Sequence, residues 1–176
     1  MALPFVPCAK LGTGWARRHP QSLAAMTDAA LQRLDHHYQS MPPVAAMGLS
    51  IAAYDGHRLR LHAPLARHVN DKGCAFGGSM TSMMTLASWG LTTLQVEAAG
   101  LSADVYVADS QVRYLAPLFG DLDAQAELAP ESDWQVFLTT LRDRGRARAN
   151  LIARVPLPQG GVAAELTARY VAMLRG

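Results

Sequence analysis

The chain has 176 residues, the length of one domain. Lys and Arg number 16 against 14 Asp and Glu, a formal charge of +2, which lacks the broad basic footprint of a nucleic-acid binder. Half of the residues are hydrophobic and only 17% are charged, so an extended disordered chain is excluded. Two cysteines, Cys8 and Cys74, are too few for a disulfide framework and point to a reduced, cytoplasmic compartment.

Residues 1–25 read as a poorly ordered N-terminal extension, interrupted by Pro4, Pro7, Gly12 and Gly14 and without the basic-then-apolar order of an export signal. Residues 26–176 read as a single domain. Thr27-Asp28 marks a helix start, with Leu31, Leu34, Tyr38 and Met41 on one side, and Pro42-Pro43 ends that helix. Met47, Leu49, Ile51 and Ala53 then alternate, as do Leu59 and Leu61 beyond Asp55-Gly56. Two alternating runs around Asp-Gly predict a β-hairpin with a type I′ turn. A loop from about Ala63 to Phe76 follows.

From Gly73 to Val96 there is no charged residue. Ser79, Thr81, Ser82, Thr85, Ser88, Thr92 and Thr93 make the stretch too polar for a membrane span, so no membrane is expected. It reads as a helix of about Gly78 to Glu97 enclosed by its own protein. Its Met80, Met83, Met84, Ala87, Leu91, Leu94 stripe fits either core packing or an acyl channel.

The second half reads as strands with one helical insertion. Asp104 to Leu115 is extended, and Leu122, Ala124, Ala126 and Leu128 alternate with polar residues. Trp134, Phe137, Leu138 and Leu141 have helical spacing, with Ser132 as the cap. Alternation resumes through Ala147 to Val155 and again through Val162 to Ala172. Clean alternation means an antiparallel sheet with one dry face. One curved sheet covers only one side of the uncharged helix, so a second copy of the protein is expected on the other.

At the loop-to-helix junction the chain reads His68-Val69-Asn70-Asp71-Lys72-Gly73-Cys74-Ala75-Phe76-Gly77-Gly78-Ser79. Downstream it reads Ala108-Asp109-Ser110-Gln111-Val112-Arg113-Tyr114-Leu115-Ala116-Pro117, then Gly120-Asp121. Together, flanking an uncharged helix, these resemble the hotdog-fold thioesterases, and among them the family typified by the C-terminal domain of the YiiD proteins. The resemblance covers about Thr27 to Leu174. It implies an α+β hotdog fold, in which a curved antiparallel sheet wraps a long central helix, here with extra N-terminal and inserted helices. It also implies hydrolysis of acyl thioesters of coenzyme A or acyl carrier protein by a homodimer, with a tetramer left open. No cofactor is implied beyond the coenzyme A ester as substrate.

The residues suit that reaction. Thioester hydrolysis puts negative charge on the carbonyl oxygen, and backbone N–H groups at a helix start are donors already aimed at it. Gly78, with Gly77, is assigned as the oxyanion donor; the competing reading is that Gly-Gly only permits a tight turn. Asn70 either binds the attacking water or carbonyl, or caps a turn. Many hotdog enzymes carry His-Gly-Gly with a carboxylate about two turns into the helix. Here Phe76 stands at the His position and Thr85 at that of the carboxylate, where it can hold a water, although a Thr hydroxyl is too weakly acidic to serve as base.

Asp109 is the preferred substitute, acting across the dimer on the partner's helix start, or else it pairs with Ser110 or Arg113. His68, Phe76 and Ser79 are placed with the substrate, and His68 is another candidate for the base, the competing reading being a merely solvated loop histidine. Cys74 has no adjacent base to make it a nucleophile. Arg113, Arg146 and Arg148, with Arg154, either bind the phosphates of coenzyme A or form a solvated sheet face paired with Asp121 and Asp123.

No metal site is expected: His36 and His37 are adjacent on a helix and point apart, and no Cys/His pair has ligand spacing. No serine-hydrolase elbow or phosphate loop is present. The missing helical carboxylate keeps a second reading open, a non-catalytic module that binds acyl thioesters, and weakens a third, a dehydratase of the same fold.

Overall fold

The computed structural model describes the backbone of residues 20–176 and the side chains of residues 28–176. Most of the expected extension therefore lies outside the described residues. Helix α1 runs Pro20–Ser40, two turns ahead of the Thr27-Asp28 start read from the sequence, and so takes in residues 20–25. Proline is tolerated there because the first helical N–H groups have no intrahelical acceptor. Pro42-Pro43 ends α1 as expected, but it also opens a short helix α2 (Pro42–Met47), which closes at Gly48 with φ 61°. That helix absorbs Met47, so strand β1 (Ser50–Tyr54) begins later than the alternation suggested.

Strand β2 (Arg58–Ala63) pairs with β1 as a hairpin. Its turn is not type I′. Only Gly56 has positive φ, at 91°, and Asp55 instead accepts the N–H groups of His57 (2.9 Å) and Arg58 (2.7 Å) on its carboxylate. Those two bonds favour the ionised form and lower the pKa of Asp55.

The remaining elements are α3 (Gly77–Ala98), β3 (Ala103–Tyr114), β4 (Leu122–Leu128), α4 (Trp134–Arg144), β5 (Arg146–Pro156) and β6 (Val162–Leu174). The cap of α4 is Asp133, which accepts from Val136 N–H at 2.9 Å, rather than Ser132. The Ser132 hydroxyl instead accepts from Asn150 N–H. The six strands form one antiparallel sheet in the order β1-β2-β4-β5-β6-β3.

Helix α3 lies across the concave face. That face is lined by Leu59, Leu61, Ala124, Ala126, Ala149, Leu151, Ala153, Leu166, Ala168 and Tyr170, all buried. The many alanines let the helix approach closely, and strict alternation sends every second residue to the helix. Met80, Met83 and Met84 are buried in this core.

The side of α3 away from the sheet was expected to need a second copy. Along its C-terminal half, α1 covers it instead. Tyr38, fully buried, donates its phenol to Leu86 O at 2.8 Å, and His37 stacks on Trp89 with ring centroids 5.1 Å apart. Burial pushes the phenols of Tyr38 and Tyr170 up, so both stay protonated donors. Tyr170 donates to Thr85 O at 2.9 Å and ties the sheet to the middle of α3.

Candidate active site

The loop before α3 is held by short backbone bonds. Phe76 N–H donates to His68 O at 2.7 Å and Ala75 N–H to Leu118 O at 2.8 Å. Asn70 is the staple of this loop. Its Oδ1 accepts from Lys72 N–H (2.8 Å) and Cys74 N–H (3.2 Å), and its Nδ2 donates to Cys74 Sγ at 3.2 Å. The amide is thus spent on the turn, and Asn70 does not line the groove described below. The turn-capping alternative is the one the structure takes.

At the start of α3, Phe76 is extended (φ −66°, ψ 130°) and offers no side-chain cap. The Ser79 and Met80 N–H groups both donate to Phe76 O, at 3.0 and 3.1 Å. That leaves the Gly77 and Gly78 N–H groups without a partner among the described residues, at the positive end of the helix dipole. A Cβ on Gly78 would stand 2.4 Å from Cε1 of Phe76, and one on Gly77 would stand 3.1 Å from Cε1 of Tyr114. Both glycines therefore keep the two donors open beneath aromatic rings. Tyr114 is held in turn: Thr81 Oγ1 donates to Gly77 O (3.1 Å), so the Tyr114 hydroxyl is the donor in its 2.7 Å bond to Thr81 Oγ1.

These groups open into a groove of about 560 Å³ between α2 and the first half of α3. Pro43, Val44, Met47 and Leu86 make its apolar wall, with Phe76 at the mouth. Gly78, Ser79, Thr81, Ser82 and Thr85 make the polar one. An open, largely apolar trough that Gly78 lines suits an acyl chain with its carbonyl beside the backbone donors. Of the residues picked from sequence, Gly78, Thr85, Phe76 and Ser79 line it, and Gly77 stands next to Gly78 at the helix start. The α2 wall and Tyr114 were missed. Pro-Pro followed by Val-Ala-Ala-Met and Gly48 was the available signal for α2, since proline opens and glycine closes helices.

His68 is buried, 5% exposed, directly behind Ser79. Its Nε2 lies 2.8 Å from Met47 O and its Nδ1 lies 3.0 Å from Ser79 Oγ. A carbonyl only accepts, so Nε2 carries the proton of the neutral ring and Nδ1 accepts from the serine. His68 therefore lies behind Ser79 and does not itself line the groove.

The other picks fall elsewhere. A bulge between Val107 and Asp109 sets Asp109 opposite Arg169, with which it forms an ion pair. Arg169 alternates with the buried Ala168 and Tyr170, so the pair lies on the convex face, opposite α3. Within the protomer Asp109 does not join the groove. The arginines do not form one cluster either. Arg154 is engaged by Glu127 (2.9 Å) and Glu165 (2.8 Å), and Arg113 stands opposite Glu165. Arg146 and Arg148 lie near the other end of β5, beside Arg144, roughly 20 Å from Arg154 at the rise of an extended strand. Asp121 and Asp123 face His62, not these arginines.

Among the described residues no group of three or more His, Cys, Asp or Glu could hold a metal ion, and no helix is long and apolar enough to cross a membrane.

Solved structures share this fold. A protein of unknown function from Chlorobaculum tepidum is 26% identical, with a TM-score of 0.79 over 85% of this chain and 97% of its own. A protein from Shewanella oneidensis described as a putative thioesterase is 27% identical, with a TM-score of 0.74 over 83% of this chain and 99% of its own. A thioesterase from Haemophilus influenzae, 14% identical, has the same fold at a TM-score of 0.63, over 82% of this chain and 90% of its own. The family model described as "Putative thioesterase (yiiD_Cterm)" matches residues 30–174. With its six-stranded antiparallel sheet curved around a long helix, the chain has the hotdog fold and belongs to this thioesterase family.

Proposed function

We propose that the protein hydrolyses acyl thioesters carried on coenzyme A or acyl carrier protein. The observation that carries this reading is the pair of N–H groups at Gly77 and Gly78, without a partner among the described residues, at the start of α3 where Gly78 lines a largely apolar groove. The acyl chain lies along Pro43, Val44, Met47 and Leu86, its carbonyl oxygen meets the two N–H groups, and the carrier leaves past Phe76. Water attacks the carbonyl carbon. The developing oxyanion is stabilised by donors that need not reorganise, the effect that removes several kcal/mol from such barriers.

The working unit in this reading is a homodimer joined along β3. That strand has 12 residues and ends the sheet. Tyr106 (52% exposed) and Val107 (46%) stand along it, and a long edge strand of this kind invites pairing with a second copy.

Steady-state assays across acyl-CoA chain lengths, and on acyl carrier protein, test the activity. Release of free thiol well above background on at least one substrate is expected. Tight binding of an acyl-CoA with no release on any chain length or carrier would establish the non-catalytic module instead, a reading favoured by the absence of a carboxylate in the groove.

A further inference from the structure

Thioester hydrolysis at Gly77 and Gly78 needs a group that takes a proton from the attacking water, and no carboxylate lines the groove. One hydroxyl in the groove does touch a basic lone pair: Ser79, through His68 Nδ1. We propose that Ser79 and His68 form a two-step proton relay, with Ser79 Oγ holding the attacking water and His68 acting only through it. The proposal rests on the thioesterase reading.

The geometry fits this division of labour. His68 is buried and out of substrate's reach, whereas Ser79 is half-buried and lines the groove. The bond from Nε2–H to Met47 O fixes the ring and its tautomer, leaving Nδ1 as acceptor. When Nδ1 gains a proton, that same bond becomes charge-assisted and strengthens.

The step balances as follows. The water oxygen bonds to the carbonyl carbon. Its proton passes to Ser79 Oγ while the Ser79 proton passes to His68 Nδ1, and the carbonyl electron pair moves to the oxygen facing Gly77 and Gly78. On collapse the C–S bond breaks. The thiolate takes a proton from Ser79 Oγ, which recovers its own from His68 Nδ1. A carboxylic acid and a free thiol leave, and both side chains are restored.

The test uses the full chain and whichever acyl-CoA the wild type turns over fastest. Ser79→Ala is expected to lower kcat by on the order of a hundredfold with KM held within about threefold. Ser79→Thr, which keeps a hydroxyl, should recover most of that loss, and His68→Gln should match Ser79→Ala. In H2O/D2O mixtures the wild-type rate should bow below a straight line, because two protons move together. Wild-type kcat in Ser79→Ala, a linear dependence on deuterium content, or an acyl adduct on Ser79 in mass spectra of quenched enzyme would each overturn the relay while leaving the thioesterase reading intact. No turnover by the wild type on any carrier removes both. Should Ser79→Ala or His68→Gln fail to fold, as judged by melting, the threonine variant and the wild-type isotope response decide.

Discussion

From Ala87 to Val96, helix α3 is covered by α1: Tyr38 and Leu34 lie over Gly90, and a Cβ there would stand 2.1 Å from the Tyr38 hydroxyl and 2.8 Å from Leu59 Cδ2. From Gly77 to Thr85 the same helix has α2 beside it and a groove between. Both stretches are uncharged, and each contains a glycine under an aromatic ring, yet the physical sense of that contact is opposite. At Gly90 the neighbours are fully buried and have nowhere to go, so the glycine is a packing requirement. At Gly78 the neighbour is the ring of Phe76, 56% exposed and free to swing, so the glycine keeps a backbone donor accessible. Sealed and open halves of one helix thus divide stability from chemistry.

That division can be broken by mutation. The largest effect should be on the sealed half: Tyr38→Ala removes a fully buried ring and its bond to Leu86 O, and a loss of about 3–5 kcal/mol is expected in denaturant unfolding. A comparison of the two glycines sharpens the contrast. Gly90→Ala should destabilise by about 1–3 kcal/mol through overpacking, in spite of alanine's better helix propensity. Gly78→Ala should shift stability by less than about 1 kcal/mol while lowering kcat/KM by on the order of tenfold, as Phe76 is driven across the donors. If Gly78→Ala instead melts the protein and spares turnover, the division fails.

The smallest effect is expected outside both halves. Asp109→Ala breaks an exposed ion pair with Arg169 on the convex face, and should change stability by less than about 0.5 kcal/mol with turnover close to wild type. A large loss of kcat would mean that Asp109 reaches a second protomer's groove after all.

Much of this was legible along the chain. Alternation read over residues 122–128, 147–155 and 162–172 fell within a residue or two of strands β4, β5 and β6, because a half-buried strand writes its period of two directly into the residues. The uncharged segment marked α3 for the same kind of reason: a helix packed on a sheet and flanked by other helices has little room for charge. Asp55-Gly56 located the hairpin but not its turn type, since the Asp55 carboxylate binds two N–H groups that no residue spacing advertises. The site was only partly visible. Gly77-Gly78 stood out because a backbone donor needs the absent side chain at its own position. His68 was noticed, but its burial behind Ser79 and its bond to Met47 O join residues 11 and 21 positions away. The pairing of Asp109 with Arg169 was not visible, because one bulge in β3 sets which residue Asp109 faces.

The order of residues by itself determined the sheet, the buried helix and the glycine pair at its start, since each is a local pattern of period, charge or missing side chain. Only the tertiary structure decided what covers α3, which of its hydroxyls meets an imidazole, and that the α2 wall turns the helix start into a groove. Those depend on contacts between segments remote along the chain, and such contacts are chosen by packing rather than by neighbouring residues.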